Sequence, residues 1–351
     1  MRKRFLVLAL ALGLIASGCS DGSDTGGRDS STESPTTSSE NTFAPTTTVG
    51  AVTTPTVEAP AFVETSDVVY MTINGVELLM DVYEPQGDGP WPVVVAFHGL
   101  SPSGKDDFSN TVVAQEAASE GMVVFAPSWI AGDPFPITID DFEMFKASAN
   151  CAVAFAQENA ANYRGDPTNT VVYGFSAGAG AGLLATVQPS GGPIEGCESE
   201  ASPAPISGAV LGDGEYLIYT QSWDGAFEAD IDAMQDAVAS LTDASYWPPD
   251  LDTDFFLWVA EQGTTPRTFS DPSDETGWLA LRDPDGSIRA DLDRLDQLDD
   301  RTITVIDAGQ LLELRLSEAG ITVTLDEYPG GHTTGDKVAE LVDYLKAATA
   351  G

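Results

Sequence analysis

The hydrophobic and polar positions of the chain alternate between short apolar runs and longer stretches with helical periodicity. The runs WPVVVAF, VVFAP, TVVYGF and FFLWVA are almost continuously apolar, which is typical of parallel strands buried on both faces. Amphipathic patterns with helical spacing occupy residues 106–121, 140–163 and 336–350. This alternation predicts an α/β fold, with a doubly wound, mostly parallel sheet and helices on both faces.

The first two predicted strands differ from the others. Residues 67–75 and 76–85 meet at Asn74-Gly75, a dipeptide that strongly favours a two-residue hairpin turn. Antiparallel pairing is therefore expected only at the start of the sheet. Further strands are predicted in residues 204–214 and 321–329, and a helix in residues 227–241.

The first 60 residues have a different composition. Residues 1–18 combine a basic start, an apolar run and small residues before Cys19, which is typical of an export signal. The segment IASGC resembles the lipobox of bacterial lipoproteins, which implies cleavage before Cys19 and a lipid on its sulfur; an ordinary secretory signal is the alternative. Residues 19–60 are rich in Ser, Thr, Gly and Pro and are expected to form a disordered tether to a folded domain at residues 61–351.

Charge and cysteine content limit the partners and the compartment. With 15 Lys and Arg against 55 Asp and Glu, the net charge is −40, which excludes a nucleic-acid partner and leaves the lipid as the only expected membrane contact. We expect Cys151 and Cys197 to form a disulfide in an extracytoplasmic protein, anchored to the bacterial membrane or secreted; two free thiols are the alternative. No metal site is predicted, because the chain has two histidines and no cysteine cluster.

The motif G-x-S-x-G occurs at Gly174, Ser176 and Gly178, directly after a predicted strand. A nucleophile elbow needs this order, because a sharp turn between a strand and a helix lifts one serine hydroxyl out of the sheet. Ala177 would then offer its backbone N–H at the start of a helix, where partial positive charge stabilises an oxyanion.

Only two histidines are available as a base for Ser176. His332 follows the last predicted strand and precedes the last helix, which is where we expect the base. His98 ends the third predicted strand, and we expect its side chain to bond loop carbonyls rather than to transfer protons.

The motifs FHGL, GFSAG and YPGGH together resemble the α/β-hydrolase superfamily, in particular its dienelactone hydrolase and carboxylesterase-like branch, and RGDP before the elbow strand is similar to a segment of carboxylesterases. The resemblance implies an α/β-hydrolase fold for residues 61–351. It also implies a Ser-His-acid triad with Ser176 and His332, and an oxyanion hole formed by the N–H groups of Leu100 and Ala177.

The acid of the triad is less clear from the sequence. In the family it follows the seventh strand, but FFLWVAEQ continues into GTTP without a matching Asp. An insertion near residues 266–298 would deliver Asp300 late, and we predict Asp300 as the acid. Asp299, Glu261 and Asp213 are the alternatives, and Asp213 follows the sixth strand, a position that some lipases use.

These observations predict a serine hydrolase that cleaves carboxylic esters, small or polymeric, through an acyl-enzyme and without a cofactor. A peptidase or amidase on the same fold is one alternative, and a catalytically inactive cell-surface binding protein is another. Three aromatic residues are candidates for the wall of a substrate pocket, with ordinary packing as the alternative: Trp278, Trp247 and Phe135.

Overall fold

The computed structural model describes residues 61–101, 103–130, 139–214, 240–241, 243–260, 267–268, 302–303, 305–335 and 337–350, all within the unit Glu58–Gly351. The strands are β1 Phe62–Ile73, β2 Val76–Pro85, β3 Trp91–Phe97, β4 Val123–Pro127, β5 Gly165–Phe175, β6 Gly208–Gly212, β7 Asp254–Ala260, β8 Arg267–Thr268, β9 Thr302–Ile303 and β10 Val323–Tyr328. The α-helices are α1 Phe108–Ser119, α2 Ile139–Asn159, α3 Ala177–Val187, α4 Val305–Glu318 and α5 Val338–Thr349.

Eight of the strands form one sheet in the order β1-β2-β4-β3-β5-β6-β7-β10. Only β1 with β2 and β2 with β4 pair antiparallel, and all other neighbours in this sheet are parallel. The first hairpin turns at Asn74 and Gly75, which both have positive φ, as a type I′ turn requires. The sequence prediction of a mostly parallel sheet with an antiparallel start is confirmed.

The sheet is covered on both faces. Its strands β3, β4 and β6 are apolar along nearly their whole length, and β5 is buried from Thr170 to Phe175. One apolar cluster joins the sheet to α2, α3 and α4, and a second joins its other face to α1 and α5. Asp107 caps α1 by accepting hydrogen bonds from the N–H groups of Ser109 and Asn110. No helix in the described part of the chain is long and apolar enough to span a membrane.

Some predicted segments lie outside the described residues. These are the signal and tether with Cys19, most of the expected helix at residues 227–241, and nearly all of the expected insertion at residues 266–298. The two-residue strands β8 and β9 pair antiparallel, Arg267 with Ile303 and Thr268 with Thr302. They bring together the chain on either side of residues 269–301.

The expected disulfide is present. Cys151 lies in the buried part of α2, and its sulfur is bonded to that of Cys197, with the two Cα atoms 5.6 Å apart. The segment around Cys197 also contacts the first strand, where the Thr72 N–H donates to the Gly196 carbonyl at 2.7 Å. The disulfide therefore links α2 to a segment that lies against β1.

Candidate active site

Ser176 occupies the sharp turn between β5 and α3. Its φ of 57° lies in the left-handed region, which costs a non-glycine residue on the order of 1–3 kcal/mol. The turn is tight on both sides: a Cβ at Gly174 would lie 2.2 Å from the Gly178 carbonyl oxygen, and a Cβ at Gly178 would lie 2.2 Å from that of Phe97. Both glycines of the motif are therefore required sterically, as a nucleophile elbow predicts.

The loop after β3 passes next to Ser176. A Cβ added at Gly99 would lie 3.4 Å from the Cβ of Ser176, and Leu100 is the next residue of this loop. Ala177 begins α3, where the first N–H groups of a helix have no intrahelical acceptor. Within the described residues, neither the Leu100 nor the Ala177 N–H donates to a backbone carbonyl. Both N–H groups belong to segments that adjoin Ser176.

His98 is buried beneath this loop. Its Nδ1 lies 2.6 Å from the Gly99 carbonyl oxygen, and its own carbonyl accepts a hydrogen bond from Trp129 Nε1 at 2.9 Å. Burial lowers the pKa of His98, so the ring is neutral near pH 7. These contacts fit the predicted role of His98 as a residue that bonds a loop carbonyl.

His332 lies at the same edge of the sheet as Ser176. Its ring packs on that of Phe175, the residue before Ser176, with centroids 4.6 Å apart. His332 Nδ1 lies 3.1 Å from Asp213 Oδ2, and Asp213 directly follows β6, the strand next to β5. A carboxylate can only accept, so His332 Nδ1 donates in this bond, and in the neutral imidazole this tautomer has the lone pair on Nε2 that a base needs.

Asp213 is fully buried and held from several directions. Its Oδ1 accepts from the Ala260 N–H at 2.6 Å, and its Oδ2 accepts from the Tyr328 hydroxyl at 3.2 Å as well as from His332. Its φ of 44° is again in the left-handed region, and its N–H donates to the Trp258 carbonyl at 2.8 Å. These bonds hold the Asp213 carboxyl group in place beside the ring of His332.

The acid that the sequence favoured, Asp300, lies outside the described residues. The same holds for two of the alternatives, Asp299 and Glu261, so the structure does not test any of these three as the partner of His332. The structure instead brings together His332 and Asp213, the remaining alternative. One signal in the sequence points to Asp213: it comes directly after an apolar strand, as a residue at the carboxyl edge of a parallel sheet does.

The rim of the site carries exposed apolar side chains. Leu100 is 40% exposed, and Phe108, the first residue of α1, is 79% exposed. Next to Phe108, the Ser109 carbonyl accepts from Thr334 Oγ1 at 3.4 Å, which joins the start of α1 to the loop of His332. Phe108 therefore lies close to the loop that carries the base.

Of the three aromatic residues considered for a pocket wall, one is described. Trp247 is buried in an apolar cluster, and its Nε1 donates to the Ser240 carbonyl at 3.2 Å, so it packs in the core. Trp278 and Phe135 lie outside the described residues. Groups of three or more side chains that could hold a metal ion are absent from the part of the chain that the structure describes.

Comparison with known proteins supports the fold. The BD-FAE family model, an esterase family of the α/β-hydrolase type, matches residues 80–203. No curated protein sequence matches the chain.

Three solved structures illustrate the similarity. A thermophilic esterase, Est2, from the Planctomycetes species Thermogutta terrifontis has a TM-score of 0.53 and 17% identity, over 81% of this chain and 91% of that one. Esterase 2 of the same organism, phosphonylated by cyclosarin, has a TM-score of 0.54 and 15% identity, over 80% and 92%. A truncated carbohydrate esterase from gut microbiota has a TM-score of 0.50 and 14% identity, over 84% and 99%. The described domain thus has the α/β-hydrolase fold.

Proposed function

We propose that the protein is a serine hydrolase of carboxylic esters, with Ser176 as nucleophile, His332 as base and Asp213 as the acid of the triad. One observation carries this proposal: the strained serine of the elbow lies at the same sheet edge as a histidine whose Nδ1 is bonded to a buried carboxylate. Fold alone does not fix the substrate, but the esterases that share this fold and the match to an esterase family favour esters over amides.

The reaction follows from the positions of these groups. His332 Nε2 takes the hydroxyl proton as Ser176 Oγ forms a bond to the ester carbonyl carbon, and the carbonyl electrons move onto oxygen. The N–H groups of Leu100 and Ala177 stabilise this oxyanion, and the positive end of α3 adds to the stabilisation. When the oxyanion collapses, the bond to the alcohol breaks and His332 returns the proton to the leaving oxygen.

Deacylation repeats these steps with water. His332 removes a proton from a water molecule, the resulting hydroxide attacks the acyl-enzyme, and Ser176 leaves with the proton from His332. Asp213 accepts the Nδ1–H of His332 and stabilises the imidazolium in both halves of the reaction.

The proposal is tested with a panel of p-nitrophenyl esters from acetyl to long acyl chains, run beside peptidyl anilides. Ser176→Ala should reduce kcat by about 10⁶-fold, as loss of a triad nucleophile does in other serine hydrolases. Ser66→Ala is the matched control, because Ser66 is exposed on β1 and bonds only Glu64 among the described contacts. Faster cleavage of anilides than of esters would show an amidase, and equal activity of Ser176→Ala and the wild-type protein would reject the mechanism.

A fluorophosphonate probe separates an enzyme from an inactive binding protein. Labelling at Ser176 should be complete in the wild-type protein and lost in Ser176→Ala, because the probe reacts with an activated serine. A folded wild-type protein that is neither labelled nor active on any ester would reject the proposed function.

We also propose that the domain is lipid-anchored outside the cytoplasm through Cys19. The signal-like residues 1–18 and the small residues before Cys19 support this proposal. Metabolic labelling of the full chain with a radioactive fatty acid should mark the wild-type protein and not Cys19→Ala. Equal labelling of both, or labelling of neither, would contradict the anchor.

A further inference from the structure

Tyr328 is the last residue of β10 and is 2% exposed. Three oxygen acceptors surround its hydroxyl: the Gly331 carbonyl at 2.9 Å, Asp213 Oδ2 at 3.2 Å and the Thr333 carbonyl at 3.4 Å. The two carbonyls flank His332 in the chain, and the carboxylate bonds its ring. One hydroxyl thus lies between the proposed acid and the backbone on both sides of the proposed base.

The ring of Tyr328 is fixed in this position. It packs on Trp258, with ring centroids 5.3 Å apart. Lys337 Nζ lies over the Tyr328 ring, 4.6 Å from its centroid, in a cation–π contact. The loop folds closely over it, because a Cβ at Gly330 would lie 2.8 Å from Tyr328 Cε2. A hydroxyl on a fixed ring defines the distance between the groups that it bonds.

We infer that Tyr328 is a positioning residue of the active site, whose hydroxyl holds the His332 loop in register with Asp213. This inference rests on the proposed function. Tyr328 begins the motif YPGGH, but the motif alone does not assign a role to its hydroxyl, because the partners of that hydroxyl lie 115 residues away at Asp213 and in the loop after Tyr328.

The hydroxyl acts through His332 and not on the substrate. The Tyr328 oxygen lies nearest the Gly331 carbonyl, and its one proton is shared among the three acceptors. Without the hydroxyl, Asp213 keeps the Ala260 N–H and His332 as donors, but the His332 loop loses the one O–H group that lies between its carbonyls and the carboxylate. The imidazole is then less restricted in angle and distance, and small displacements at a reacting centre reduce its rate strongly. The expected effect is on proton transfer and not on substrate binding.

The test compares Tyr328→Phe with Tyr344→Phe, a matched control. Tyr344 lies on α5 in the same region, and its hydroxyl bonds Asp326 at 2.9 Å and Glu340 at 3.4 Å, away from His332. Tyr328→Phe should lower kcat by about 10- to 100-fold, the range for a hydrogen bond to a charged group, with KM within twofold. Labelling of Ser176 by a fluorophosphonate should slow by a similar factor. Tyr344→Phe should keep the wild-type kcat and labelling rate.

The outcomes separate the inference from the function on which it rests. A wild-type protein that is inactive on every ester and unlabelled by the probe rejects the proposed function itself. An active, labelled wild-type protein with Tyr328→Phe at wild-type kcat overturns the inference alone, as does an equal loss of activity in Tyr344→Phe. If Tyr328→Phe is recovered unfolded, Gly330→Ala decides instead, since the added methyl displaces the ring; wild-type kcat in that variant overturns the inference.

Discussion

Asp213→Asn is the substitution that tests the proposed triad most directly. The carboxylate accepts from three donors, the Ala260 N–H, the Tyr328 hydroxyl and His332 Nδ1. The amide of Asn has the same shape but only one acceptor oxygen, and its NH₂ group is a donor. If the amide oxygen keeps the Ala260 N–H, its NH₂ faces His332, and the ring must present Nδ1 as an acceptor.

The magnitude follows from this change of tautomer. A proton on Nε2 removes the lone pair that takes the Ser176 proton, and in an analogous triad this exchange lowers kcat by about 10⁴-fold, or about 5.5 kcal/mol of transition-state stabilisation. The same substitution replaces hydrogen bonds to a charged acceptor by bonds to a neutral amide, which costs about 1–2 kcal/mol of folding free energy. Activity should therefore fall far more than stability.

The assay measures kcat on the best ester of the panel together with the free energy of unfolding in urea. Asp326→Asn is a matched control, because Asp326 on β10 bonds Tyr344 and not His332. Asp300→Asn and Asp299→Asn complete the series, since the sequence favoured these positions. A kcat within tenfold of the wild type for Asp213→Asn, or a 10³-fold loss in Asp300→Asn, would refute the assignment of Asp213.

Three further predictions concern stability and the rim of the site. Lys105→Met should lower the free energy of unfolding by about 3–5 kcal/mol, measured in urea, because the buried carboxylate of Asp81 loses the ammonium 3.0 Å away. Removal of the disulfide by Cys151→Ser with Cys197→Ser should cost about 4 kcal/mol, the loop-entropy value for a separation of 46 residues. Phe108→Ala should lower kcat/KM for aryl esters by about 3- to 10-fold and leave the melting temperature nearly unchanged, because a side chain that is 79% exposed contributes little to folding.

The Lys105 prediction has a matched control on the surface. The Lys105 ammonium bonds Asp81, Asp106 and Asp67; burial disfavours the charge, but these bonds outweigh burial and raise the pKa of Lys105 above its ordinary value. Lys146 is half-buried and pairs with the exposed Glu143, so Lys146→Met should change stability by about 0.5 kcal/mol or less. Equal losses of folding free energy in Lys105→Met and Lys146→Met would contradict the prediction for Lys105.

For Phe108→Ala, a kcat/KM that is unchanged for both aryl and alkyl esters would contradict the predicted contact with the substrate.

The features that the sequence predicted well depend on short segments. The hairpin at Asn74 and Gly75 and the elbow at Ser176 each follow from a few adjacent residues whose backbone conformation is restricted. Alternation of apolar runs and amphipathic stretches was also enough for the sheet, because burial on both faces leaves a continuous apolar run. His332 could be proposed as the base because only two histidines are present.

The surroundings of Asp213 could not be predicted in the same way. Its donors come from the end of β7, the end of β10 and the loop beyond, and they meet only because β6, β7 and β10 are neighbours in the sheet. Strand order is a property of the whole fold, so a carboxylate after β6 and one after β7 look alike in the sequence. The ion pairs of Lys105 could not be predicted for the same reason, because they join Asp67 on β1 and Asp81 on β2 to the segment before α1.

The pairing of β8 with β9 has a consequence for variation of the chain if the acid of the triad is Asp213, directly after β6. The chain between Thr268 and Thr302 then leaves and returns at adjacent points while supplying no residue to the triad. Extra sequence between two neighbouring ends adds little closure entropy and leaves the scaffold intact. Insertions, deletions and exchanges within this segment should therefore leave the triad in place.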